Sequence, residues 1–318
     1  MMQVVDQYGR TFKTLRVSLL SACNLGCVYC TEADDLGMEN KQQKATALST
    51  EDLVNSIYQL HKETGLEVIR LTGGEPLLSP HLIPIIKEVK RLGIDKIKLT
   101  TNGFLLERLA KPLREAGMQS VNVSLDAVEE GVFFLMSRRN NVKRILAGID
   151  AALNSGLDVK LNAVLMKGIN ENQILPLLNY AFERNITIRF LEVMSMGHLH
   201  NKAEKYLVTK DEVLHTIATH HDFVPLIRSA SSTANYWKTD SGNVFGVIAN
   251  ESAPFCHDCN RLRLDSQGNI YGCLSSDHPI NIKNLNAGEL REKLREALLH
   301  KQSIKFTGSN LSMLNIGG

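Results

Sequence analysis

Short runs that alternate apolar and polar residues recur between residues 15 and 194, and a helical pattern follows each run except the last. The runs are LRVSL, EVIRLT, KIKLTT, SVNVSLD, DVKLNAVLM and TIRFLEVM. Strand patterns that alternate with helical patterns predict βα units, and therefore a parallel sheet. Helix boundaries are marked too, because Ser49 precedes Asp52 in a capping pattern and glycines such as Gly65 follow the helices.

Polar side chains share one face of four predicted strands. These polar sets are Arg16 and Ser18; Arg70 and Thr72; Asn122, Ser124 and Asp126; and Lys160 and Asn162. Because the crossover helices cover the apolar faces, the polar faces are expected to point toward one another near the carboxyl ends of the strands. A closed eight-stranded barrel fills its interior with apolar side chains, whereas an unclosed barrel leaves room for a polar ligand. The sequence therefore predicts an α/β fold with an incomplete (βα)6 TIM-type barrel rather than an open doubly wound sheet.

Composition and charge narrow the class of protein. The chain has 318 residues, 43% of them hydrophobic, which suits one large barrel-type domain or two smaller domains. We predict a partial barrel over residues 1–200 and a C-terminal region over residues 201–318. The chain has no signal-peptide pattern or long apolar run, so we expect a cytoplasmic protein. A net charge of +2 predicts no broad surface for nucleic acid or membrane, and favours a small ligand.

All six cysteines fall into two triplets. Cys23, Cys27 and Cys30 stand in SACNLGCVYC, and the second triplet stands in FCHDCNRLRLDSQGNIYGC. In a reducing compartment clustered cysteines indicate metal or redox chemistry before disulfides. CxxC pairs serve zinc and iron-sulfur sites alike, but structural zinc takes four protein ligands and neither triplet has an obvious fourth. Three thiolates on a [4Fe–4S] cluster would leave one iron open to another ligand, and this interpretation is the one we favour.

The loop LTGGEP, residues 71–76, follows the second predicted strand. Two glycines allow the backbone to approach a ligand closely with free amide and carbonyl groups. A tight turn before a helix would explain the same glycine pair without a ligand.

The triplet with Tyr29 before its last cysteine, followed by Gly73-Gly74-Glu75-Pro76, resembles the radical S-adenosylmethionine (SAM) superfamily. TTNGFLL, VNVSLDA, VKLNAVLMKGINENQI, IRFLEVMSMG, FCHDCNRLRLDSQGNIYGCL and the terminal MLNIGG are similar to the GTP 3',8-cyclase family of molybdenum cofactor biosynthesis. The resemblance extends along nearly the whole chain.

The resemblance implies a role for each set of matching positions. The first [4Fe–4S] cluster would be held by Cys23, Cys27 and Cys30, with SAM on its open iron. The second would be held by Cys256, Cys259 and Cys273, with the guanine of GTP on its open iron. SAM contacts would come from Tyr29, Gly74, Ser124 and Met194. GTP contacts would come from Arg16, Arg70, Thr101, Lys160, Arg261, Leu262 and Arg263.

The resemblance also implies the reaction and its partners. Reduction of the first cluster would cleave SAM to a 5'-deoxyadenosyl radical, and no side chain is assigned as catalytic. The radical would remove the ribose 3' hydrogen of GTP, and the carbon radical would attack guanine C8, as expected of a lyase. Besides GTP, an electron donor is expected as a partner. The sequence is compatible with a homodimer, and the Gly317-Gly318 tail is expected to reach the active site.

Two other functions remain open at this point. A radical SAM paralogue with two clusters could act on another substrate, such as a peptide. A zinc-stabilised binding protein without catalysis is the other class. The hairpin predicted around SQG, residues 266–268, would place Arg261 and Arg263 on the same side as Cys259, which suits an anionic substrate.

Overall fold

The six predicted strands form consecutive parallel strands of one sheet. The computed structural model describes residues 4–32 and 47–317. The strands are β1 (Thr14–Ser18), β2 (Val68–Thr72), β3 (Lys96–Thr101), β4 (Ser120–Ser124), β5 (Asp158–Leu165) and β6 (Thr187–Glu192). Each pairs in parallel with the next, so the prediction of a parallel α/β sheet is confirmed.

Helices connect these strands, as the sequence predicts. They are α1 (Thr50–Thr64), α2 (Leu82–Arg91), α3 (Leu106–Ala116), α4 (Glu130–Ser137), α5 (Val142–Asn154) and α6 (Ile174–Glu183). The Ser49 side chain accepts a hydrogen bond from the Asp52 amide, and Gly65 ends α1 in the left-handed conformation with φ of 63°. Both capping predictions are therefore confirmed. The connection after β4 contains two helices where the sequence analysis expected one.

The C-terminal part of the chain extends this sheet at both edges. Its strands are β7 (Phe223–Pro225), β8 (Asn235–Thr239), β9 (Val244–Ile248), β10 (Arg261–Leu264), β11 (Asn269–Tyr271) and β12 (Ile280–Asn281). Strand β9 pairs in parallel with β6, and β10 pairs in parallel with β1. The described strands form one twelve-stranded sheet in the order β12-β11-β10-β1-β2-β3-β4-β5-β6-β9-β8-β7. Because β9 and β10 do not pair in this described sheet, the barrel stays open between them.

The remaining helices belong to the C-terminal part. They are α7 (Lys210–Ala218), α8 (Ala287–Leu299) and α9 (Met313–Ile316). No helix in the residues that the structure describes combines the length and apolar character needed to span a bilayer.

The core lies between the strands and the helices that cover them. Leu15, Ile69, Ile97 and Leu161 are fully buried, and each is followed by a polar residue on its strand. Alternation of this kind puts the two sets on opposite faces of the sheet. The apolar face is therefore taken by helices, and the polar face lines the inside of the incomplete barrel.

Candidate active site

One cavity of about 620 Å³ occupies the inside of the barrel, and all six cysteines line it. The first triplet follows β1 at the carboxyl ends of the parallel strands. The second triplet lies at the opposite end, because Cys259 comes just before β10 and Cys273 comes just after the antiparallel β11. The two triplets therefore border one cavity from its two ends.

The first triplet stands on a loop that is fixed by backbone hydrogen bonds. The amides of Cys30 and Thr31 donate to the Cys27 carbonyl oxygen over 2.8 and 3.1 Å, which folds the CxxC segment into a turn. The Asn102 side-chain amide lies 3.7 Å from Cys23 Sγ, and the Tyr29 hydroxyl donates to Asp126 over 2.9 Å. The loop is thus tied to the ends of β3 and β4.

Burial makes these three thiols hard to ionise without a cation. Burial raises the pKa of Cys23 to about 11, and burial followed by neighbouring thiols and Asp126 raises the pKa of Cys27 and Cys30. A metal ligand must be a thiolate, so these positions suit a group that brings its own positive charge.

The Gly73-Gly74 pair allows the loop to pack closely against the segment 20–22, and it does not leave both amides free. The Gly74 amide donates to the Leu20 carbonyl over 2.7 Å, and the Glu75 amide donates to the Ala22 carbonyl over 2.8 Å. A Cβ at Gly74 would collide with the carbonyl oxygens of Ser21 and Ala22. The expectation of a free amide is wrong for Gly74, because that amide holds the segment that leads into Cys23.

Glu75 is fully buried and joins this loop to the end of β3. Its carboxylate accepts hydrogen bonds from the Thr101 hydroxyl at 2.7 Å and from the Asn102 and Leu77 amides at 2.7 and 2.9 Å. Burial raises the pKa of Glu75 to about 7, although these donors favour its charged form. Thr101, predicted to contact GTP, lines the cavity with its hydroxyl donated to Glu75.

The second triplet is held from two sides by cations. Arg10 donates to the Cys256 carbonyl over 2.6 Å and is paired with Asp6 at 2.7 Å. The Lys301 ammonium lies 3.4 Å from Cys259 Sγ. Burial opposes ionisation of Cys259, but the charges of Arg261 and Lys301 and their hydrogen bonds lower its pKa to about 7. One thiolate of this triplet is therefore already stabilised by the protein.

The donor sets fit iron-sulfur clusters better than zinc. Within residues 4–32 and 47–317, no three Cys, His, Asp or Glu side chains are grouped so that they could hold a metal ion directly. A structural zinc ion needs four converging ligands, whereas a cluster takes its thiolates on separate irons. Three thiols that line a cavity suit the cluster, and they would leave its remaining iron free for another ligand.

Cations line the space between the triplets. Arg16, Arg70, Arg261 and Arg263, all predicted to contact GTP, lie in the cavity wall. Burial, followed by the charges of the other arginines, lowers the pKa of Arg16, and burial followed by Arg189 lowers the pKa of Arg70 to about 10. Buried like charges are unfavourable unless an anion joins them, so the cavity is suited to a ligand with several negative charges.

Two predicted GTP contacts lie elsewhere. Leu262 is fully buried in the apolar core, on the opposite face of β10 from Arg261 and Arg263. Lys160 is half-buried and is outside the cavity wall as described. The four positions predicted to contact SAM all line the cavity: Tyr29, Gly74, Ser124 and Met194.

Sequence reasoning missed several cavity residues. Lys98 and Arg189 line the cavity, and both follow the same alternation that identified Arg16 and Arg70. The segment 229–233 also lines the cavity. It is held in place by a hydrogen bond of 2.8 Å from the Ser231 amide to the Asp258 carboxylate. Asp258, which had no assigned role, therefore positions a wall of the site.

The C-terminal residues 313–317 pack against the cavity next to Arg263 on β10. Arg263 donates to the carbonyl oxygens of Ile316, at 3.4 Å, and Gly317. A Cβ at Gly317, whose φ is +74°, would meet the Thr72 hydroxyl. Gly318, the other residue of the predicted tail, lies outside the described residues.

Two family models match the chain in succession. One described as the Radical SAM superfamily matches residues 17–181. One described as Molybdenum Cofactor Synthesis C matches residues 186–309.

Curated relatives are similar along most of the chain. A GTP 3',8-cyclase of Staphylococcus haemolyticus is 39% identical over 303 residues, which cover 93% of this chain and 89% of the relative. A GTP 3',8-cyclase of Synechocystis sp. is 36% identical over 315 residues, which cover 99% of this chain and 95% of the relative.

Solved structures share the fold at low sequence identity. Streptococcus suis SuiB bound to its precursor peptide SuiA has a TM-score of 0.61 at 17% identity, over 85% of this chain and 62% of SuiB. The protein anSMEcpe with bound AdoMet and a peptide has a TM-score of 0.58 at 16% identity, over 90% of this chain and 82% of anSMEcpe.

Proposed function

The chain belongs to the GTP 3',8-cyclase family within the radical SAM superfamily, and on this premise we propose how it acts. It converts GTP to (8S)-3',8-cyclo-7,8-dihydroguanosine 5'-triphosphate, an early step of molybdenum cofactor biosynthesis. The observation that carries this proposal is that two cysteine triplets border a single cavity from opposite ends with cations between them. A phosphorylated nucleotide that reaches from one triplet toward the other fits that arrangement.

The protein uses two [4Fe–4S] clusters and SAM. When bound, the first cluster and SAM would supply a 5'-deoxyadenosyl radical, and the second cluster would bind the guanine of GTP. In the proposal the first cluster is held by Cys23, Cys27 and Cys30, and the second by Cys256, Cys259 and Cys273. Gly74 and Glu75 fix the approach to Cys23, and Tyr29, Ser124 and Met194 surround the space next to it for SAM.

The substrate is bound by the chain's own cations. Arg16, Arg70 and Arg263 neutralise the phosphates, and their charges are far more effective in a buried cavity than in water. The Arg261 guanidinium donates to the Ser231 carbonyl over 2.9 Å and so fixes the wall beside the second triplet. Direct contacts of Lys160 and Leu262 with GTP remain predictions.

Several finer assignments are part of this proposal. We classify the reaction as that of a lyase, place the protein in the cytoplasm, and expect an electron donor as a partner. We expect neither nucleic acid nor a membrane to bind, and the chain is compatible with a homodimer. The division into residues 1–200 and 201–318 also stays a prediction, since strands of both parts pair in one sheet.

The proposed function is tested by product analysis. The protein is reconstituted anaerobically with iron and sulfide and incubated with dithionite, SAM and GTP. We expect a cyclised nucleotide together with 5'-deoxyadenosine. SAM cleavage without any change in GTP would support a paralogue with another substrate, such as a peptide. Bound zinc in place of iron would contradict the proposed radical SAM activity.

A further inference from the structure

Four cations stand side by side on four neighbouring strands. The register pairs Arg263 with Arg16, Arg16 with Arg70, and Arg70 with Lys98. Residues paired in this way follow the hydrogen-bonding direction of the sheet, in which strands are about 4.8 Å apart, so the row spans roughly 14 Å. All four side chains line the cavity, and we call them the cation row.

Lys98 ends the cation row. It is half-buried, and among the described residues its ammonium has no hydrogen-bond or ion-pair partner. Burial, followed by the charges of Arg70 and Lys160, lowers its pKa, and only the charge of Asp158 acts in the opposite direction. An ammonium placed among cations is stabilised by an anionic ligand.

Arg189 faces the cation row from β6. Its side chain is 8% exposed, and its Nε and Nη2 atoms have no hydrogen-bond partner in the described part of the chain. It lines the same cavity as the cation row, and its charge lowers the pKa of Arg16, Arg70 and Lys98, so it lies close enough to repel them. Unused donors on this buried guanidinium point to a ligand with acceptor oxygens at the same place.

The cation row has a direction relative to the second triplet. Arg263 pairs with Tyr271, which is two residues before Cys273, and Arg261 follows Cys259 by two residues. The row therefore starts at the second triplet and ends three strands away at Lys98. In the proposed function the guanine lies at the second triplet, so the phosphates extend toward Lys98.

We propose that Lys98 binds the terminal phosphate of the substrate and thereby selects the nucleoside triphosphate over the diphosphate. This inference rests on the proposed function and adds to it the residue that distinguishes the two phosphate chain lengths. The other members of the row contact phosphates that GTP and GDP share. Removal of the Lys98 charge should therefore affect GTP alone.

The experiment compares the affinities of GTP and GDP for the reconstituted two-cluster protein by anaerobic titration calorimetry. In Lys98→Met we expect GTP to bind about tenfold more weakly and GDP to bind with less than a twofold change. Lys98→Arg should keep most of the preference for GTP. Lys96→Met is the matched control, because Lys96 lies on the same strand but is exposed and outside the cavity wall.

Cluster absorbance and SAM cleavage report whether each variant is intact, and Lys98→Gln is used if the methionine variant loses its clusters. Equal weakening of GTP and GDP, or no weakening of GTP, would overturn the inference. If wild-type protein cyclises GTP in either of those cases, only the role of Lys98 is wrong. If wild-type protein neither binds nor cyclises GTP, the proposed function fails together with this inference.

Discussion

The Lys301 ammonium donates to Cys259 Sγ over 3.4 Å, and it also donates to the carbonyl oxygens of Arg261 and Gly272 over 2.9 and 2.8 Å. It is 3% exposed and lies over the Phe12 ring at 5.1 Å. One buried charge therefore connects the start of β10, the residue before Cys273 and a proposed cluster ligand. The lysine stabilises the thiolate and fixes the positions of two ligands at once.

We predict that Lys301→Met weakens the second metal site selectively. The change leaves two buried carbonyls without their donor and should cost about 2 kcal/mol or more of stability. Iron content should fall from about eight per chain toward about four, since one cubane of four irons is lost. Iron analysis and anaerobic thermal unfolding measure this. Lys305→Met, at an exposed position nearby, should keep its iron, and full iron in Lys301→Met would contradict the assigned role.

Substitution of Gly74 by alanine should damage the loop before Cys23, whereas the same substitution at Gly131 should stabilise the protein. Gly74→Ala places a methyl group against the carbonyl oxygens of Ser21 and Ala22, so the segment before Cys23 must move. We expect loss of SAM cleavage with the second cluster retained. Gly131→Ala adds a methyl group in open space on α4 and should stabilise the protein by about 0.5–1 kcal/mol. Normal SAM cleavage in Gly74→Ala would show that the loop tolerates the shift.

Glu75 predicts a specific pH dependence. Its pKa is raised from 4.5 to about 7 in the folded protein, so between these values the folded state binds more protons than the unfolded state. Stability therefore falls as pH rises from 4.5 to about 7, by about 3 kcal/mol for this group.

Glu75→Gln lacks this titration and isolates it. The stability of wild type relative to Glu75→Gln should fall by about 3 kcal/mol as the pH rises from 4.5 to about 7, as measured by thermal unfolding followed by circular dichroism. Glu67→Gln, at an exposed position, should leave the pH profile unchanged. A difference that is constant across this range would mean that Glu75 stays ionised in the folded protein.

Asp258 should affect GTP rather than SAM. Its carboxylate accepts two hydrogen bonds of 2.8 Å from Arg228 and one from the Ser231 amide, which holds the wall 229–233 in place. The pair is partly exposed, so Asp258→Asn should cost only about 1 kcal/mol of stability. We expect the wall 229–233 to loosen and KM for GTP to rise about fivefold, which corresponds to a separate loss of about 1 kcal/mol in binding free energy. Steady-state kinetics should show an unchanged rate of SAM cleavage. The control variant Asp240→Asn, at an exposed position, should change neither KM for GTP nor SAM cleavage.

The sequence predicted the parts of this structure that depend on local patterns. Alternation along β1 and β2 identified Arg16 and Arg70, and the same alternation contains Lys98 and Arg189. The resemblance implies no role for Lys98 or Arg189, so alternation was the one signal for these two cations. Lys301 had no local signal, since its hydrogen-bond partners lie 29 to 42 positions away in the chain.

Pairing of distant strands was equally hidden. The sequence predicted a hairpin around SQG, which contains β10, but it did not identify β9, and nothing in the residues of either strand shows that they join β1 and β6. The side chain of Leu262 is in the core while its neighbours Arg261 and Arg263 face the cavity, a difference that the resemblance by position did not show. Which face a residue takes is decided by the register of the strand.

The placement of β9 and β10 has a consequence for biogenesis. As the polypeptide leaves the ribosome, the outer strands β1 and β6 emerge long before the two segments that pair with them. Until those segments are synthesised, both lateral borders of the nascent barrel carry unsatisfied backbone groups, a state prone to aggregation. The loop between β9 and β10 carries Cys256 and Cys259, so two proposed ligands of the second cluster are synthesised together with the strands that cover both borders.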